Sequence, residues 1–104
     1  MADTIEWTGK SGLKYKYWIH SLNTTFKAEP GNYIFAKEVE PGRFRPIYIG
    51  ETADLSERFD NHHKMPCILR NGATHIHAHT NSSQQNRLTE ESDLLANYAP
   101  SCNG

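Results

Sequence analysis

The dipeptide Pro41-Gly42 restricts the fold more than any other feature of the sequence. It sits at the centre of Glu40-Pro41-Gly42-Arg43, between residues 33–39 and 44–49, both rich in β-branched and aromatic side chains. Proline fixes its own φ and glycine accepts a positive one, so the pair reverses the chain between two strands. An antiparallel hairpin follows. Upstream, residues 14–20 alternate Tyr15, Tyr17 and Ile19 against Lys16, Trp18 and His20, the period of a strand. Residues 74–80 alternate in the same way, which places His75, His77 and His79 on one face and Ile76 and Ala78 on the other. Residues 1–12 are turn-rich, with Thr8-Gly9 and Ser11-Gly12, and are expected to form an arm.

Helix signals begin after the hairpin. Asp54 and Glu57 have capping-box spacing, and Leu55 and Phe59 stand at i,i+4. A short helix is expected around residues 67–70, ending at Asn71-Gly72. Ser82 and Gln85 form a second capping box, opening a helix over 83–97. The order β, β-β, α, β, α specifies an α+β fold with a mostly antiparallel sheet. A length of 104 residues suits one domain, with residues 1–30 as an N-terminal extension packed on a domain of residues 31–104.

No run approaches the roughly 18 apolar residues of a membrane span. The start lacks a basic segment followed by an apolar one, so a cytoplasmic protein without membrane contact is expected. Cys67 and Cys102 have no C-x-x-C spacing and read as free thiols in a reducing compartment. The net charge of −1 excludes tight non-specific nucleic-acid binding by charge alone. Charge is uneven, however: residues 1–50 carry seven Lys/Arg against five Asp/Glu, and residues 51–104 carry four against seven. Lys14 and Lys16 are the candidates for phosphate contact.

Several side chains stand where packing alone would not put them. Leu88, Leu95 and Tyr98 share a face of the last helix, and Glu91 falls on that face, with Glu90 and Asp93 toward water. A carboxylate there is a rim residue, an ion-pair partner of Arg58 or Arg87, or a ligand for a hard cation. Leu55, Arg58, Phe59 and His62 follow i, i+3, i+4, i+7, which puts a guanidinium and an imidazole on one helix side. Arginine can fork onto a phosphate, and histidine can move a proton near neutrality. Tyr33 opens one hairpin strand and Tyr48 lies near the end of its partner, before Gly50, where backbone turns or a close neighbour approaches. The three histidines of residues 75–79 read as a polar sheet face, with zinc chelation as the other possibility.

In order, Gly31-Asn32-Tyr33, Tyr48-Ile49-Gly50, Arg58, His62, and the closing segment from Glu91 to Asn103 resemble the GIY-YIG nuclease family, over about two thirds of the chain. The resemblance implies a three-stranded antiparallel sheet flanked by helices, to which residues 14–20 add a strand. It implies a metal-dependent endonuclease that cuts DNA with one Mg²⁺ or Mn²⁺. Glu91 would bind the metal and Arg58 would stabilise the scissile phosphate. Tyr33, Tyr48 and His62 would handle the attacking water and its proton, with Asn103 fixing the geometry and Gly31 and Gly50 allowing close packing. Asn32 stands where an aliphatic residue is usual, and Glu51 where some members carry lysine. The alternative is a non-catalytic module on the same fold that binds nucleic acid or protein.

Overall fold

The structure, a computed structural model, describes residues 3–57 and 62–103. Among them are five strands and two helices in the order β1 (Thr4–Thr8), β2 (Lys14–Ser21), β3 (Gly31–Glu40), β4 (Arg43–Thr52), α1 (Met65–Arg70), β5 (His75–Thr80) and α2 (Gln84–Asn97). All pairings are antiparallel, and the sheet order is β1-β2-β5-β3-β4. No helix of the described residues is long and apolar enough to cross a membrane.

The β3–β4 hairpin turns at Pro41-Gly42, with Gly42 at φ +78°. Six consecutive residues of β3, Gly31 to Ala36, are buried, because β3 lies between two strands and is covered on both faces. One face packs Tyr33, Phe35, Ile47, Leu55, Ile68, Ile76, Ala78 and Cys102. The other packs Trp7, Tyr17, Ile34, Ala36, Ile49 and Leu94 under α2. Each fully buried Ile or Leu contributes about 1.5–3 kcal/mol, so these layers fix the sheet between α2 and the α1 side.

The α+β class is as expected, but the sheet has five strands rather than three plus an edge. Residues 4–8, expected to be an arm, form β1, because Ile5 and Trp7 point to the α2 face while Thr4 and Glu6 remain exposed. β2 is therefore an interior strand, its second edge paired with β5.

The helix expected from Asp54 is not present over the described part of that segment. Residues 54–57 form a turn in which Asp54 Oδ1 accepts from the Ser56 amide at 2.8 Å and the Ser56 hydroxyl at 2.5 Å. That local Asx arrangement satisfies the carboxylate without Glu57. The later cap is displaced by one residue: Ser83, not Ser82, caps α2 by accepting from the Asn86 amide at 3.1 Å.

The cysteines are not free thiols. Cys67 and Cys102 form a disulfide with their Cα atoms 5.9 Å apart. Sequence separation hides this pairing. The fold returns residues 102–103 to the outer edge of β4, where the Cys102 amide donates to the Ile47 carbonyl at 3.0 Å and the Cys102 sulfur meets Cys67 of α1.

Candidate functional site

Two adjacent strands bring the tyrosines together. Tyr33 is buried, 4% exposed, and its ring stacks near that of Tyr48 at 6.1 Å and 21°. His62, before α1, reaches over both: its Nε2 lies 2.8 Å from the Tyr33 hydroxyl, and its ring stands edge-on to Tyr48 at 4.8 Å.

A backbone contact decides the tautomer of His62. The Lys64 amide donates to His62 Nδ1 at 3.0 Å, so in the neutral ring the proton sits on Nε2 and donates to the Tyr33 oxygen. Burial, and then the neighbouring His63, hold His62 below its ordinary pKa and keep it neutral around pH 7. His63 is exposed and stacks on His62 at 4.6 Å and 17°. Burial, followed by the nearby Tyr48, Glu91 and Glu51, pushes the Tyr33 phenol far up. Tyr48 is raised by burial and then by Glu91.

Glycine is required at both motif positions. A Cβ on Gly50 would lie 2.7 Å from Cζ and Oη of Tyr33 and 2.9 Å from Cε1 of Tyr48. A Cβ on Gly31 would overlap the His79 carbonyl and sit 2.7 Å from Leu55 Cδ1. Gly50→Ala is therefore expected to push the Tyr33 ring off His62. The check is the His62 ring resonance, whose titration should shift toward that of an unpartnered imidazole, with a melting loss of about 1–3 kcal/mol.

Asn103 takes the position of a sixth strand residue. Its Oδ1 accepts from the Ile49 amide and its Nδ2 donates to the Ile49 carbonyl, both at 2.8 Å. A side-chain amide thus fixes Ile49, the residue between Tyr48 and Gly50. The disulfide at Cys102 holds that amide in place from the adjacent position.

α2 supplies the carboxylate, but in a different phase from the one expected. Arg87, Glu90 and Leu94 are the buried residues, while Leu88 is 43% exposed. Glu90 does not face water. It accepts from the Tyr17 hydroxyl at 2.5 Å and meets His79 Nε2 at 2.7 Å. Two polar partners on the sheet satisfy the inward carboxylate, which unpartnered would be costly to bury. Glu91 is consequently half-buried rather than central. Burial, and then the Glu51 carboxylate, raise its pKa, opposed by a hydrogen bond from the Glu51 backbone.

Glu51, read from sequence only as a lost phosphate contact, closes this side of the site. Arg87 Nε donates to its carboxylate at 2.9 Å and Arg87 NH1 to the Asn81 carbonyl at 3.0 Å. Arg87 is thus paired with Glu51 and not with Glu91. Asn32 is fully buried and donates to the Arg87 carbonyl at 3.0 Å, so it ties β3 to α2 where an aliphatic side chain could not. Arg58 lies outside the described residues, so its placement on a helix face with His62 is not part of the geometry here.

The histidine face is not an open polar surface. His77 is fully buried, and its Nδ1 accepts from Trp7 Nε1 at 3.0 Å. Burial drives its pKa down to about 3. His79 is engaged by Glu90, and His75 Nδ1 sits 2.8 Å from the Thr74 hydroxyl. Among the described residues no group of three or more His, Cys, Asp or Glu is placed to hold a metal ion. Glu91 fits a different kind of site: a half-buried carboxylate repelled by Glu51 is relieved by a divalent cation, and Mg²⁺ commonly takes one carboxylate plus substrate phosphate and water.

Comparisons with protein-family models, curated proteins and solved structures find no match to this chain. The family resemblance rests on the residues themselves.

Proposed function

We propose that this chain is a metal-dependent endonuclease that hydrolyses phosphodiester bonds in DNA, of the GIY-YIG type. The observation that carries it is the hydrogen bond between Tyr33 and a neutral His62, beside Tyr48 and with Glu91 close enough to raise both phenols. A structural tyrosine needs no such array, whereas proton transfer from water does.

A neutral His62 donating through Nε2 stabilises the phenolate form of Tyr33, which burial otherwise opposes. Once its own proton has left to solvent, the Tyr33 phenolate is the base that takes the proton of the attacking water, and the His62 Nε2–H sets the orientation of its oxygen. Tyr48 packs beside them and limits where water can stand. Arg58, carried over by resemblance, neutralises the scissile phosphate. Glu91 would hold Mg²⁺ or Mn²⁺, which would supply charge stabilisation for the departing oxygen. A cytoplasmic setting goes with a DNA substrate, while the Cys67–Cys102 disulfide fits an oxidising compartment better.

The test is a cleavage screen over plasmid, branched DNA, single-stranded DNA and RNA, with Mg²⁺ or Mn²⁺ and with chelator. Turnover of DNA that stops on chelation is expected. Binding without turnover on every substrate would replace this reading with a non-catalytic module, and turnover that survives chelation would remove the metal.

A further inference from the structure

The sheet carries a row of residues that leads away from Tyr33. Cross-strand pairing aligns Gly50 with Tyr33, Tyr33 with Ala78, and Ala78 with Trp18. Directly opposed residues share a face, so Trp18 stands on the same side of the sheet as Tyr33, two strands away. At ~4.8 Å per strand the separation is about 10 Å. Tyr33 and Ala78 are buried, but Trp18 is 42% exposed. α2 packs against the opposite face, over Tyr17 and Trp7. Tryptophan two strands from the site therefore presents an open ring on an uncovered part of the sheet.

Its surroundings select the occupant. Lys14 and Lys16 alternate onto the same face of β2 and are exposed, and the Lys16 ammonium lies over the Trp18 ring at 5.1 Å. On the neighbouring β1 the residues of this face are Thr4, Glu6 and Thr8, so the two strands carry two ammonium groups against one carboxylate. An isolated aromatic ring with ammonium groups beside it suits a nucleobase and its phosphates, and is too small a patch for a protein interface. A chain of net charge −1 has no general grip on nucleic acid, so affinity must come from local contacts of this sort.

We propose that the exposed face of β2 is a single-strand subsite in which Trp18 stacks on an unpaired base and Lys16 contacts its phosphate, feeding the strand toward Tyr33. The direction toward Tyr33 rests on the nuclease reading. The stacking does not. Base-paired duplex cannot present a base face to this ring without unpairing, so the subsite favours single-stranded or locally open nucleic acid.

The experiment measures fluorescence anisotropy of a labelled single-stranded oligonucleotide and of the same sequence as duplex, with Glu91→Ala protein to prevent cleavage. Trp18→Ala is expected to weaken single-strand binding about tenfold, with Trp18→Phe retaining most of the affinity and duplex binding little changed. Lys16→Ala should reduce the salt slope by about 0.7. Melting curves for the Trp18 variants confirm that folding is intact. The subsite is overturned if Trp18→Ala binds the single strand as tightly as its parent, if Trp18→Phe is as weak as Trp18→Ala, or if both nucleic acids lose affinity equally. If the Glu91→Ala protein binds single strands through Trp18 and the wild-type protein, with Glu91 intact, cleaves nothing, the subsite is supported and the nuclease reading alone is sunk.

Discussion

Glu91→Ala is expected to lower metal-dependent DNA cleavage by about 10³-fold or more, with little change in melting temperature. The reason lies in how the carboxylates are distributed. Glu51 is committed to Arg87 and Glu90 to Tyr17 and His79, so among the described carboxylates of β4 and α2 Glu91 is the one left to meet a cation beside the tyrosines. A metal that stabilises a leaving oxygen contributes several kcal/mol to the barrier, and each ~1.4 kcal/mol is a factor of ten. The charge of Glu91 does little for the fold, because burial and the Glu51 carboxylate both oppose it and a hydrogen bond from the Glu51 backbone only partly offsets them. Glu91→Gln separates charge from shape: it can still accept from the Glu51 backbone, yet it should be as inactive as the alanine variant. Steady-state cleavage over a range of Mg²⁺ concentrations is the measurement. Full activity in a clean preparation of Glu91→Ala would falsify the metal assignment.

Removing the disulfide is expected to produce the largest loss of stability. Cys67 and Cys102 close a loop with a sequence separation of 35, for which the chain-entropy estimate is about 4 kcal/mol. In a chain of this size that lowers the melting temperature on the order of 15–30 °C. The site should suffer with it. Asn103 follows Cys102 directly, and its two hydrogen bonds to Ile49 depend on residues 102–103 lying against β4. Cys67→Ala with Cys102→Ala, or the wild-type chain under a dithiol reductant, should therefore show faster hydrogen exchange at the Ile49 amide than at Ile34 in the sheet interior. Unchanged melting and unchanged exchange after reduction would show that packing of Cys102 against Ile68, not the bond, holds the segment.

Much of the site could be located in the sequence because its parts lie on regular elements. Tyr33 and Tyr48 sit on a hairpin whose turn residues are unambiguous, and Gly50 is where the two rings leave no room for a Cβ. Asn103 was named only through resemblance, since nothing in a C-terminal Asn announces that it will complete a strand edge. The segment from Asp54 misled: Asp54 and Glu57 have capping-box spacing and Leu55 and Phe59 stand at i,i+4, but Asp54 turns back onto Ser56 over the described residues. The phase of α2 misled as well. Hydrophobic periodicity favoured Leu88 inward, whereas the structure buries Arg87 and Glu90. Periodicity counts apolar residues and cannot see that Tyr17, His79 and Glu51 wait on the sheet as polar partners.

By itself the sequence determined the α+β class, the Pro41-Gly42 hairpin, the strand alternation that sets Trp18 and Lys16 on one face, and the short tyrosine elements. These follow from local chemistry: fixed φ values, the two-residue period and the helical repeat. Only the tertiary structure decided that β1 completes a five-stranded sheet, that Cys67 and Cys102 are bonded, that Glu90 is spent on the core, and that His62 meets Tyr33 through a proton on Nε2. Each of these depends on which distant groups meet, and a polar side chain's role is set by the partner it finds rather than by its neighbours in the chain.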